Sequence, residues 1–193
     1  MFIAFEGIDG SGKTTQAKLL YKYMKRRCKC LFTDEPTQGT IGVLIHGILR
    51  SKKHIDPMAL QLLFLSDRTE HVNEFIIPKL KSGHSIITDR YMFSAIAYGA
   101  AGGVDMKYLM DASSKFRLPD ATFVIDVNPK IAMQRLNKRN TRELEYFDKV
   151  NFLAKARVAF RKLKKHYRNY YLIDGSKSIE EIHSNIIKIV NTL

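Results

Sequence analysis

The run "FEGIDGSGKTT" at residues 5–15 combines residue types that do phosphate chemistry. Gly7, Gly12, Lys13 and Thr14 fit the pattern G-x-x-x-x-G-K-[ST]. Glycines let backbone N–H groups turn inward onto phosphate oxygens, and a helix starting there presents its positive end to them. A lysine at this spacing reaches the β- and γ-phosphates of a nucleotide, and the threonine hydroxyl is a magnesium ligand. An incidental glycine-rich turn is the competing reading. It is disfavoured because the run follows a strand-like stretch and opens a helix-like one, the context the pattern requires. Asp9 is unexplained by phosphate binding alone.

Such a loop serves motors, GTPases, regulatory ATPases and kinases alike. A GTPase also needs an Asn-Lys-x-Asp element, and the nearest match, "NKRN" at 137–140, lacks the aspartate. A kinase needs a second phosphate site facing the first. Phe64 and Arg68 lie four residues apart on one helix face, where an aromatic ring could stack on a base and the guanidinium could bond its edge. The plainer reading of Phe64 is core packing. Asp89 and Arg90 end a strand-like run, and the guanidinium of Arg90 is a planar fork suited to a phosphate. A surface ion pair is the alternative for that pair.

Strand-like runs occupy 2–7, 30–34, 85–90, 121–127 and 169–174, with helical periodicity over 13–27, 57–81, 147–167 and 178–192. Asp56-Pro57 is a helix start, and Ser178 with Glu181 forms a capping box. Alternating strands and helices predict one domain over 1–193, a three-layer α/β/α fold of the P-loop NTPase type with a five-stranded parallel sheet. Ligands of such sheets bind beyond the carboxyl ends of the strands, here Glu6 to Thr15, Asp34-Glu35-Pro36, Asp89-Arg90-Tyr91 and Asp126. The basic polar segment at about 135–147 reads as an insertion, short enough to be a lid.

The 193 residues carry a net charge of +13, which suits phosphorylated ligands as well as nucleic acid. Much of it lies in "YKYMKRRCKC" and "RVAFRKLKKHYR", which read as solvated helix surface. No nucleic-acid motif accompanies it, so nucleic acid is not an expected partner. Cys28 and Cys30 are too few and too close for zinc and read as ordinary thiols. The six histidines read as surface or core residues. No apolar run is long enough to cross a membrane, and Met1 leads directly into a strand-like run, so a cytoplasmic location is expected.

Taken in order, "FEGIDGSGKTTQ", "TDEPTQGTIG", "LLFLSDRTEH", "TDRYMFSAIAYG", "LPDATFVIDV" and "FLAKARVAF" resemble the thymidylate kinase family over nearly the whole chain. The resemblance implies transfer of the γ-phosphoryl group of ATP to dTMP, giving dTDP and ADP with Mg²⁺. It implies that Gly7, Gly10, Ser11, Gly12, Lys13, Thr14 and Thr15 cradle the donor, and that Thr14 and Asp89 place the metal. Phe64 would stack on thymine and Arg68 would bond its exocyclic oxygen. Arg90 would hold the acceptor phosphate, Tyr98 would disfavour a ribose 2′-hydroxyl, Asp9 would accept from the 3′-hydroxyl, and Glu35 would lie near the acceptor.

Family members carry the transition-state arginine in the phosphate loop or in the lid. Gly10 leaves it to the lid, with Arg142 first and Arg139 second, and Arg135 closing over the phosphates. Asp34, His46, Ala95 and Gly99 depart from common family residues, which leaves base selectivity less determined than reaction type. A second nucleoside monophosphate kinase reading, for dUMP or other pyrimidine monophosphates, stays open beside an ATP-switch module that binds nucleic acid. A homodimer through 57–81 and 91–112 is implied as well.

Overall fold

The computed structural model describes residues 1–51, 54–138 (the side chains of 137 and 138 excepted) and 150–193. β1 (Phe2–Glu6) is buried at every position. A strand buried on both faces needs helices above and below it, as parallel sheets do. The other strands are β2 (Cys30–Asp34), β3 (Ser85–Asp89), β4 (Ala121–Asp126) and β5 (Tyr170–Asp174). They form one sheet in the order β2-β3-β1-β4-β5, every pairing parallel. This is the predicted three-layer α/β P-loop kinase fold.

The period of two along β1 divides the core. Ile3 and Phe5 point to the face covered by α1 (Lys13–Lys25) and α9 (Ile179–Val190), where they meet Leu20, Phe123 and Ile186. Phe2 and Ala4 point to the other face. Its cover comes from α2 (Thr40–Arg50), α3 (Pro57–Glu70), α5 (Met92–Ala101), α6 (Met106–Ser113), α7 (Pro129–Lys138) and α8 (Val150–Leu163). Both predicted helix starts are present. The Asp56 side chain accepts from the backbone N–H groups of Met58 and Ala59, and Ser178 with Glu181 closes a capping box.

Two helices differ from expectation. The 57–81 run is α3, then a π-helical stretch at His71–Ile76, then α4 (Ile77–Lys81). The expected 91–112 helix is broken into α5 and α6. A turn at Gly102-Gly103 ends the first, and the Asp105 side chain, accepting from Tyr108 N–H at 2.7 Å, starts the second. α5 is itself buried at nine of its ten residues, so it offers almost no face to a partner subunit.

The register brings the carboxyl ends of the strands level, with Asp34 opposite Asp89 and Asp126 opposite Asp174. Among the described residues no helix is long and apolar enough to cross a membrane.

Candidate active site

The loop between β1 and α1 opens the site. Gly12, the residue before α1, has φ 100°, and a Cβ there would meet nothing within 4 Å, so this side of the loop is open to a ligand. Gly10 is the opposite case. Its φ is 77°, and a Cβ would lie 2.3 Å from the carbonyl oxygen of Ala132 in α7. Arg135, also in α7, donates to the carbonyl oxygens of Ser11 at 3.1 Å and Gly175 at 2.9 Å. The segment read as a lid from residue 135 is therefore helical at its start, and Arg135 ties α7 to the loop's underside. Arg139 and Arg142 lie outside the described residues.

Lys13, Thr14 and Asp89 form one end of a cavity of about 250 Å³. The Thr14 hydroxyl donates to Asp89 Oδ2 at 2.5 Å, while Asp89 Oδ1 is buried with no hydrogen-bond partner. A hydroxyl beside a carboxylate with an orphaned oxygen is a donor set that fits a hard divalent cation such as Mg²⁺. Thr15, half-buried in α1, is not on the cavity wall, and Gly7, Gly10, Ser11 and Gly12 form the loop beside it.

Asp9 holds the centre. Its carboxylate takes the Arg90 guanidinium and, at 3.3 Å, the Lys13 ammonium, both on Oδ1. Its backbone N–H donates to the Tyr98 hydroxyl at 3.0 Å. Burial works against its ionisation, but the charges of Arg90 and Lys13 outweigh burial and hold the carboxyl below its usual range. Burial, joined by the negative charge of Asp9, outweighs Arg90 at Tyr98 and holds its hydroxyl far above the ordinary phenol range.

Arg90 is the one described non-glycine residue with positive φ, at 74°. Its N–H donates to Phe5 O at 2.8 Å, and Thr88 Oγ1 donates to its carbonyl oxygen at 2.7 Å, which pins this backbone. Its Nη1 donates to Ser94 Oγ at 2.8 Å, and its guanidinium lies 5.2 Å from the Tyr98 ring centre. Ser94 in turn donates to Glu6, whose carboxylate also accepts the N–H groups of Tyr91 and Ser94 at 3.0 Å each. Burial pushes the Glu6 carboxyl up to about 7 despite the Ser94 hydrogen bond and the charge of Arg90.

The far end of the cavity is lined by Phe64, Arg68, Tyr91 and Ala95. Phe64 and Arg68 share a face of α3 as their spacing predicted. Arg68 is 1% exposed. Its Nε and Nη2 lie 2.9 and 2.7 Å from Glu35 Oε2, and Nη1 is buried without a partner. Glu35, at the end of β2, lines the cavity but spends both carboxylate oxygens inward, Oε1 being 2.9 Å from His71 Nδ1.

The expected residues Asp9, Lys13, Thr14, Glu35, Phe64, Arg68, Asp89, Arg90 and Tyr98 thus share one cavity wall. No individual role was expected for Ser94, which lines the cavity, or for Glu6 and His71, which stand behind its wall and hold Ser94 and Glu35. A charged residue ending the apolar run "FIAFE" was a signal for Glu6, and the three-residue step from Arg68 was one for His71.

A phosphate loop with its lysine at one end, and a ring with a guanidinium at the other, define a P-loop kinase acting on a nucleotide acceptor. The chain belongs to the thymidylate kinase family. That family's profile, described as "Thymidylate kinase", matches residues 5–186. A probable thymidylate kinase of Pyrococcus horikoshii is 39% identical, over 98% of this chain and 95% of that one. A probable thymidylate kinase of Methanocaldococcus jannaschii is also 39% identical, over 97% and 94%. A thymidylate kinase of Onion yellows phytoplasma is 38% identical, over 97% and 95%.

Proposed function

We propose that the protein is a thymidylate kinase, passing the γ-phosphoryl group of ATP to dTMP to give dTDP and ADP. The observation that carries this is the single cavity with a phosphate loop at one end and Phe64 and Arg68 at the other. A thymine stacked on Phe64 would offer a carbonyl oxygen to the unpartnered Nη1 of Arg68. Its phosphate would then reach Arg90, and Tyr98 would close the space beside the sugar where a ribose carries its 2′-hydroxyl. Asp9 would accept from the 3′-hydroxyl.

Phosphoryl transfer leaves little covalent work for the protein, because the attacking oxygen already belongs to an ionised phosphate. Lys13 would leave Asp9 for the β- and γ-phosphates, and Arg90 would hold the acceptor in line. Thr14 and Asp89 would hold Mg²⁺, which neutralises charge on the transferring group when bound. Arg142, or Arg139 in its place, would supply the positive charge at the transition state, since residue 10 has no room for a side chain. Arg135 acts here by fixing α7 beneath the donor loop. The whole chain would work as one domain in the cytoplasm, supplying dTTP synthesis.

We also propose a homodimer. Val43 and Leu44 on α2 and Leu62 on α3 are 56%, 53% and 46% exposed, an apolar face on two adjacent helices. The interface expected on 57–81 is kept, and α2 replaces the α5 part of 91–112 because α5 is buried, while α6 keeps an exposed face.

Coupled ADP release with dTMP, dUMP, UMP, CMP, AMP and GMP tests the function. dTMP should give the highest kcat/KM. Equal use of several pyrimidine monophosphates would favour the broader kinase, and ATP binding without turnover of any acceptor would overturn the kinase reading.

A further inference from the structure

The charged group that the base end of the cavity offers a ligand is a donor, Arg68, and not an acceptor. Arg68 has only donors. Two of its nitrogens face Glu35 Oε2, and the rings of Tyr91 and Phe116 lie 5.4 and 5.6 Å from its central carbon. Nη1 is what remains for a ligand. The carboxylate that could have accepted from a ligand, Glu35, is only 5% exposed and is engaged on both oxygens.

His71 engages the second oxygen. An ionised carboxylate only accepts, so the proton lies on Nδ1, 2.9 Å from Glu35 Oε1. In the neutral ring Nε2 then accepts from Thr33 Oγ1 at 2.8 Å. The imidazole is 6% exposed and stacks on Phe75 with ring centres 5.7 Å apart, so it cannot readily turn away. Helix geometry changes at this residue too. α3 gives way to the π-helical stretch at His71, and such turns commonly re-aim a side chain at a functional site.

We propose that His71 is a positioning residue that selects keto over amino pyrimidines by keeping Glu35 out of the base site. This rests on the reading that the acceptor's base lies against Arg68. Thymine and uracil carry a carbonyl oxygen at position 4, which Nη1 can meet. Cytosine carries an amino group there, which would set donor against donor. Without His71, Glu35 Oε1 is free to rotate toward the cavity and accept from that amino group. Selectivity would then come from withholding an acceptor as much as from offering a donor.

The test compares His71→Leu with His71→Asn in the full-length protein, using dTMP and dCMP as acceptors and following ADP release. Asparagine places an amide N–H near the position of Nδ1, and leucine does not. In His71→Leu the dTMP KM should rise about tenfold for loss of a hydrogen bond to a charged group, with kcat within about threefold. The ratio of kcat/KM for dCMP to that for dTMP should rise about tenfold or more. The ATP KM should be unchanged, and His71→Asn should recover most of the wild-type ratio. An unchanged ratio in His71→Leu, or an asparagine variant no different from leucine, would show that His71 only packs. Should His71→Leu fail to fold, Thr33→Val removes the hydroxyl that orients the imidazole, and the same ratio should rise about threefold. No change there overturns the proposal. Wild-type protein that leaves dTMP untouched while phosphorylating another acceptor would instead overturn the functional reading, a result told apart without any variant.

Discussion

Glu6 is buried at the head of the phosphate loop, touches no expected ligand position, and yet seats Arg90 through Ser94. Its native carboxyl value of about 7 lies above the ordinary 4.5, so the folded state holds the proton more tightly than the unfolded chain. The stability this contributes is fully present below 4.5 and is lost as pH rises through about 7. Glu6→Gln removes the titration. The melting temperature of the wild type minus that of Glu6→Gln should therefore fall between pH 4.5 and about pH 7 and level off above. Parallel melting profiles across that range would show that Glu6 does not titrate with folding. At this scale the sequence was legible in which side chains meet, since Lys13, Thr14, Arg68 and Arg90 line one cavity as their motifs predicted. It was not legible where a role is borrowed. Glu35 carries a carboxylate, as a ligand would, but which way its oxygens face depends on His71, thirty-six residues away in the chain.

Strand and helix positions were readable because hydrophobic period and capping chemistry are local. Asp56-Pro57 and Ser178 with Glu181 did what their side chains predict. The break between α5 and α6 was written in the Gly102-Gly103 pair but lost inside an apolar run that reads as continuous helix. The clasp between the donor loop and α7 was not readable at all, since it depends on the backbone of Ala132 arriving against Gly10. Gly10→Ala tests that clasp. The left-handed backbone alone should cost about 1–2 kcal/mol, which lowers the melting temperature by about 3–6 °C in a chain of this size. Gly83→Ala, with φ 81° and nothing within 4 Å of its Cβ, carries the backbone cost without the collision. Gly10→Ala should fall further than Gly83→Ala; equal losses would mean that α7 yields freely.

At the scale of the molecule, the charge of +13 and the apolar face have separate explanations. Part of the charge lines the cavity, where Lys13 and Arg90 pair with Asp9 and Arg68 pairs with Glu35. The apolar face on α2 and α3 predicts that Leu44→Glu shifts the protein from dimer to monomer in sedimentation velocity. A monomeric wild type at micromolar concentration would remove the dimer from the account. The contact between Gly10 and α7 reaches further, into descent. A lineage cannot add an arginine at residue 10 and keep this path of α7, so an ancestor bearing both a loop arginine and the present backbone is sterically barred. Acquiring a side chain at residue 10 requires the helix to move. Gly10 and the course of α7 are therefore sterically coupled, and a chimera that exchanges one without the other joins mismatched halves.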